Sequence, residues 1–196
     1  LTFADLTTGK VSQACYEYDG AADYVDTTLN AIWNGSENFT VECWFYPTSS
    51  GSSQILIANM AGWTTNNAWA LAYQDNTAGV SWLTASGSWM VASGRSQANS
   101  WHHAAVCRTG ALTSLFVDGA LANTSTTATA WTSVATLGIG ATGTGAQPYT
   151  GYLDAIRISK VARYGNIDAP TAPLNTWHTA GRGQNALLPH HTKLLI

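Results

Sequence analysis

The chain has 196 residues, enough for one domain with a sizeable core, and its hydrophobic share of 45% is ordinary for a globular protein. Only 10% of the residues are charged, against about 25% in an average globular protein. The net charge of −3 and the eight scattered Lys and Arg residues form no basic surface, which argues against nucleic-acid binding, and no apolar run is long enough to span a membrane.

Short apolar alternations recur about every ten residues, separated by Gly, Asn, Ser and Asp, and no helical periodicity is sustained. This pattern is typical of an all-β sandwich. A short helical turn is predicted at 29–33. We predict strands near residues 11–18, 22–26, 39–46, 53–59, 68–74, 78–84, 88–93, 101–108, 112–118, 134–139 and 151–159.

The strand at 39–46 separates two kinds of side chain. Its odd-numbered positions are apolar and are expected in the core, whereas Thr40, Glu42, Trp44 and Tyr46 share a face expected to be partly open to solvent. In strand 68–74, alanines alternate with larger residues, which leaves room for a bulky group on one face. The predicted core consists of Phe39, Val41, Phe45, Val106, Leu115, Val117, Leu153 and Ile156 or Ile158.

Four segments carry a family resemblance. Residues 101–119 form two alternating strands joined by a tight turn near Gly110, with Asp118-Gly119 opening the next hairpin. With YDGAADYV at 18–25, FTVECWFYP at 39–47 and the strand at 151–159, they resemble the concanavalin A-like or laminin-G-like jelly-roll domain of bacteriophage tail, fibre and virion proteins. The resemblance implies a two-sheet antiparallel jelly-roll sandwich, a fold that hosts both glycan binders and hydrolases.

The character of the sequence changes after residue 166. DAPTAP at 168–173 is expected to hold the chain extended, because proline restricts itself and the residue before it. We therefore divide the chain into a jelly roll at 1–166 and a Pro-containing linker or extended C-terminal arm at 167–196. Its last residues, 193–196, either begin a further repeat or end a tail draped over the domain. We expect the segment after Pro173 to contact another chain or domain.

The arrangement of carboxylates predicts that the chain is not an enzyme. Retaining glycosidases need two carboxylates about 5 Å apart, but the only closely spaced pair here is Glu17 and Asp19, at a strand end. No Gly-x-Ser-x-Gly elbow supports a Ser-His-Asp site.

Histidines and cysteines give little support for a transition-metal site. His102 and His103 are adjacent in a strand, so they point to opposite faces, and the family resemblance implies a packing role. The odd cysteine count without a CxxC spacing favours Cys15, Cys43 and Cys107 as small core residues, with a Cys15–Cys43 bridge as the alternative.

Calcium is the metal that the resemblance implies. Asp154 precedes Ile156-Arg157 in the last strand, where calcium-bearing relatives place a ligand, and its partners would be Asp19 and carbonyls near Gly20. Calcium takes about six to eight oxygen ligands. The alternative is that Asp154 makes a hydrogen bond or an ion pair with an arginine.

Nine tryptophans raise the possibility of a sugar platform, because aromatic faces beside amides and carboxylates bind sugars. The preferred spot is the loop 62–67, although an aromatic loop tip also suits a protein partner. Trp44 and Trp101 are expected to be structural. The residues predicted to bind a glycan or a partner are Trp63, Asn66, Asn67, Trp69 and Asp75.

Two functions follow from these features. The first is a non-enzymatic structural or adhesion module on a virion surface, with other virion chains, copies of itself or host-surface glycan as partners. The charge-poor composition suits assembly, since charge normally keeps soluble domains apart. The alternative is a carbohydrate-binding module of a secreted or bacterial cell-surface protein.

Overall fold

The computed structural model describes residues 2–4, 15–27, 36–49, 53–61, 68–74, 78–84, 89–126, 136–164 and 192–195. These ranges contain strands and connecting turns, and none of their helices, if defined by length and apolarity, could cross a membrane. The helical turn predicted at 29–33 lies outside them. The strands are β1 (Thr2–Ala4), β2 (Cys15–Asp19), β3 (Val25–Thr27), β4 (Phe39–Pro47), β5 (Ser53–Asn59), β6 (Trp69–Gln74), β7 (Gly79–Thr84), β8 (Trp89–Ala92), β9 (His102–Thr109), β10 (Leu112–Val117), β11 (Ala120–Ser125), β12 (Leu137–Ile139), β13 (Thr150–Ser159) and β14 (Thr192–Leu195).

The strands form two antiparallel sheets, which confirms the predicted jelly-roll sandwich. The larger, eight-stranded sheet has the order β1-β2-β13-β4-β9-β10-β11, with β14 also paired to β13. The smaller, six-stranded sheet has the order β3-β12-β5-β6-β7-β8. Because β13 lies between β2 and β4, Cys15 and Cys43 are not on neighbouring strands. All three cysteines are buried and free, so the alternative of a bridge is wrong.

The core lies between the sheets and contains every residue predicted for it. Each of those side chains is at most 2% exposed, and burying one contributes roughly 1.5–3 kcal/mol. Both Ile156 and Ile158 belong to this core, together with Leu153.

A β-bulge explains how residues of odd and even number on β13 reach the same core. Asp154 pairs with Trp44 and Arg157 pairs with Glu42, so two residues of β13 stand opposite one residue of β4. The extra residue, Ala155, has a φ of 49°. The bulge shifts the alternation by one position, and the side chains before and after it therefore point inward.

The main differences from the predicted strands are at the edges. Strand β11 is not predicted, because its sequence, ALANTS, lacks a clear apolar alternation and its side chains are mostly half-buried. Strand β14 pairs with β13 of the same sandwich, with Leu194 opposite Ile158. The expectation that the segment after Pro173 leaves the domain is therefore wrong for 192–195, while residues 165–191 lie outside the described part.

Candidate functional site

The outer face of the larger sheet, turned away from the smaller sheet, carries side chains in rows across β13, β4 and β9. Residues paired on neighbouring strands point to the same face, so the strand register defines each row. From one end of the sheet to the other, the rows are Tyr152 and Tyr46; Asp154, Trp44 and His103; Arg157, Glu42 and Ala105; and Ser159, Thr40 and Cys107.

Half of this face is covered by residues 160–164, which we call the strap. The Thr40 hydroxyl donates to the carbonyl of Val161 at 2.9 Å and accepts the backbone N–H of Arg163 at 3.0 Å. The Cys107 thiol donates to the carbonyl of Tyr164 at 3.2 Å. Thr40 and Glu42 are consequently at most 1% exposed. The expectation that this face of β4 is partly open is wrong beneath the strap, and it holds only at Tyr46.

Glu42 is the centre of the contacts between the strap and the sheet. Tyr164 donates its hydroxyl to Glu42 Oε2, Arg163 Nε lies 3.1 Å from Oε1, and His103 Nε2 lies 3.5 Å from Oε2. Burial acts to raise the pKa of Glu42, but His103, Tyr164 and Arg163 outweigh it, and the pKa lies below its ordinary value. The carboxylate is therefore ionised and surrounded by donors, which suits a structural anchor.

At the uncovered end of this face, Tyr152, Tyr46 and Trp101 form what we call the aromatic row. The ring of Tyr46 is central, with its centroid 5.6 Å from Trp101 and 5.8 Å from Tyr152, both in edge-to-face geometry. All three side chains are half-buried. Since neighbouring strands lie about 4.8 Å apart, the row extends about 10 Å across three strands.

Two carboxylates flank the aromatic row. Glu17 pairs with Tyr152 in register and accepts the Tyr152 hydroxyl at 3.4 Å. Partial burial and the Glu17 carboxylate raise the pKa of Tyr152, so the phenol stays protonated. Asp154 lies two residues further along the same strand, is half-buried, and accepts the Ala155 N–H at 2.6 Å. Aromatic faces beside carboxylate acceptors suit the apolar faces and the hydroxyl groups of a sugar.

The structure corrects the sugar platform predicted around Trp69. This side chain is 2% exposed and stacks on Trp82 in the core at 5.2 Å, because β6 turns its large residues inward. Its ring is thus unavailable to a ligand. The other predicted binding residues, Trp63, Asn66, Asn67 and Asp75, lie outside the described residues.

The aromatic row itself is not among the predicted sites. Trp44 is structural as expected, at 7% exposed, but Trp101 is accessible and lies at the end of the row. The sequence signal was available in part, since Tyr46 falls on the polar face of its strand. Tyr152 occupies the equivalent position of β13, directly opposite Tyr46.

The predicted calcium ligands do not meet. Asp19 pairs with Thr150, and Asp154 lies four residues further along β13, about 13 Å at 3.3 Å per residue. The Asp19 carboxylate accepts the Ala21 N–H at 2.8 Å, and this and neighbouring N–H groups lower its pKa, while Gly20 follows with a φ of 80°. Within the described ranges no three His, Cys, Asp or Glu side chains gather. Calcium binding by Asp19 or Asp154 separately stays a prediction.

His102 and His103 point to opposite faces, as predicted. His102 packs on Phe45 in the core, with ring centroids 5.6 Å apart, and His103 packs on Trp44 at 5.4 Å. They therefore cannot share a metal ion.

The contacts of His102 resemble a Ser-His-Asp triad but have a different role. Its Nδ1 lies 2.8 Å from Asp118 Oδ2, and its Nε2 lies 2.9 Å from both Ser100 Oγ and the Gln97 carbonyl. A carbonyl only accepts, so Nε2 carries a proton and cannot take one from Ser100. Burial acts to lower the pKa of His102, but Asp118 and the Gln97 carbonyl outweigh it and raise the pKa. The histidine therefore clamps the turn at Asp118.

Comparisons with known proteins agree with this architecture. The CBM40 domain of the Ruminococcus gnavus IT-sialidase is 17% identical, with 76% of this chain and 90% of that chain covered and a TM-score of 0.63. The NanB sialidase of Streptococcus pneumoniae is 14% identical, covering 76% of this chain but 26% of that chain, with a TM-score of 0.60. Domains LG4-5 of mouse laminin α1 are 14% identical, with 78% and 46% covered and a TM-score of 0.55.

These identities support a shared fold alone, and comparison with curated protein sequences finds no significant match. A sequence profile, however, covers most of the chain. Residues 19–166 match that of the concanavalin A-like lectin/glucanases superfamily, and the chain belongs to this superfamily.

Proposed function

We propose that this chain is a carbohydrate-binding module and that the aromatic row is its sugar platform. The observation that carries the proposal is the line formed by Tyr152, Tyr46 and Trp101 on the uncovered half of the larger sheet. Glu17 and Asp154 beside the row supply acceptors for sugar hydroxyls. Stacking favours a sugar ring, and the carboxylates orient it.

The fold comparisons support the carbohydrate-binding function over the virion function. Structures of the Ruminococcus gnavus CBM40 domain contain α2,3- and α2,6-sialyllactose, and another neighbour is described as a carbohydrate-binding protein from Bacteroides ovatus. We place this chain accordingly in a secreted or bacterial cell-surface protein. The virion surface, expected first from composition and resemblance, has no support among these neighbours and stays a prediction.

The proposed module is non-enzymatic. Glu42, the most buried carboxylate of the outer face, is held by three donors and is not available to a glycosidic bond. Asp19 is occupied by backbone N–H groups. Incubation with oligosaccharides is expected to release no reducing sugar, and release that is lost in Glu17→Gln would contradict this part of the proposal.

A glycan array probed with the folded chain tests the proposal. Wild type should bind at least one glycan, and Trp101→Ala should weaken that binding at least tenfold, about 1.4 kcal/mol. Tyr24→Ala is the matched control, because Tyr24 is the large exposed aromatic outside the row, at 36% exposed. Equal binding by wild type and Trp101→Ala would remove the aromatic row from the function.

A further inference from the structure

We infer that the aromatic row selects neutral glycans over acidic ones, an inference that rests on the proposed function. The row has accessible carboxylates at its border, while the cations of the same face are already used within the protein. Charge therefore sets the class of sugar that can lie on the rings.

The accessible charges beside the row are negative. Glu17 stands next to Tyr152 across the strand pair, and Asp154 follows Tyr152 on the same face of β13. Asp19, on the same face of β2 as Glu17, is exposed. A sugar hydroxyl that donates to an ionised carboxylate makes a charge-assisted hydrogen bond, which is stronger than a neutral one. A neutral glycan can use these acceptors directly.

The positive charges of the outer face and the strap are engaged elsewhere. Arg157 is 4% exposed and lies opposite Glu42 in register. Arg163 forms an ion pair with Glu42 at 3.1 Å, and Lys160 forms one with Glu37 at 3.4 Å. A ligand carboxylate would have to take one of these groups from its present surroundings.

An acidic sugar on the row therefore meets like charge without a prepared cation. One like-charge contact at about 4 Å in water weakens binding roughly fivefold, and two contacts combine. We expect acidic oligosaccharides to bind at least tenfold more weakly than neutral ones. In this respect the chain would differ from the CBM40 domain, whose structures hold sialyllactose.

Calorimetric titration with matched probes tests this inference. The neutral probes are lactose, cellotetraose, xylotetraose and mannotetraose, and the acidic probes are α2,3-sialyllactose and tetragalacturonate, all at one ionic strength. The charge variant is Glu17→Gln with Asp154→Asn, which keeps acceptor oxygens and removes both charges. Asp26→Asn is the control, because Asp26 is an exposed acid on the smaller sheet.

The expected result is a neutral probe bound by the wild type, acidic probes bound at least tenfold more weakly, and a severalfold gain for acidic probes in the charge variant alone. An acidic probe bound as tightly as a neutral one, or unaffected by the charge variant, overturns the inference. In that case binding that is still lost in Trp101→Ala leaves the proposed function standing. Binding of no probe by the folded wild type contradicts the proposed function itself.

Discussion

Tyr164 donates its hydroxyl to Glu42, although the two residues are 122 positions apart in sequence. The tyrosine follows β13 on the strap, and the glutamate lies in the middle of β4. Their contact closes the outer face of the larger sheet at one end and leaves the aromatic row open at the other. The same pair thus stabilises the domain and limits the surface available to a ligand.

Removing this hydroxyl should destabilise the domain without affecting sugar binding. Tyr164→Phe keeps the ring against Phe116, where the centroids are 5.7 Å apart, but leaves a buried carboxylate with one donor fewer. The expected loss in the free energy of unfolding is about 1–3 kcal/mol, measured by urea denaturation. Tyr24→Phe is the control. A loss no larger than that of the control would show that the contact contributes nothing.

The His102–Asp118 pair predicts a dependence of stability on pH. The pKa of His102 is raised in the folded state, so its contribution is fully present below the ordinary value near 6.5 and is lost as pH rises through the raised pKa. Because Asp118 is partly exposed, we expect about 1 kcal/mol. Melting temperatures between pH 5.5 and 9, on the order of the range in which histidine titrates, should fall in the wild type and fall less in Asp118→Asn. Parallel curves for the two proteins would contradict the assignment.

The bulge at Ala155 predicts an unusual order of side-chain tolerance. At a φ of 49°, a β-branched residue is strongly disfavoured and glycine is unstrained. Ala155→Val should lower the free energy of unfolding by about 1–2 kcal/mol, whereas Ala155→Gly should be neutral or slightly stabilising. Urea denaturation of the three proteins checks the order. A valine variant as stable as the wild type would mean that the bulge is absent or relocates freely.

Trp69 should act on stability rather than on recognition. Its ring is stacked on Trp82 between the sheets, so Trp69→Ala removes a large part of the core and should cost about 3–5 kcal/mol. Trp69→Phe should be tolerated better and should bind sugar like the wild type. Loss of sugar affinity in a Trp69→Phe protein of wild-type stability would restore Trp69 as a binding residue.

The fold could be predicted because its central strands alternate clearly. Strand β4 separates Phe39, Val41 and Phe45 from the polar side chains of its other face, and β9 and β10 meet at a turn with a glycine of positive φ, Gly110. Local pattern is enough for such elements. It also contained the bulge, since Leu153 and Ile158 differ in parity and can share a core only if one residue is inserted.

The site could not be predicted to the same extent, because it depends on contacts between distant parts of the chain. The alternation of β6 does not say whether its alanines or its aromatics face the core, and the aromatics do. Strand register, which separates Asp19 from Asp154, is set by pairing and not by either segment alone. The strap is equally invisible in sequence, since nothing in residues 160–164 identifies Glu42 as their partner.

A crystal structure with a bound neutral oligosaccharide tests the central claim most directly. The probe is the neutral glycan that binds most tightly in titration, soaked or co-crystallised with the wild-type chain. A sugar ring lying against Tyr46 and Trp101, with hydroxyls donating to Glu17 or Asp154, is the predicted result. A glycan held by the loop 62–67, or on the smaller sheet, with the aromatic row unoccupied would contradict the account.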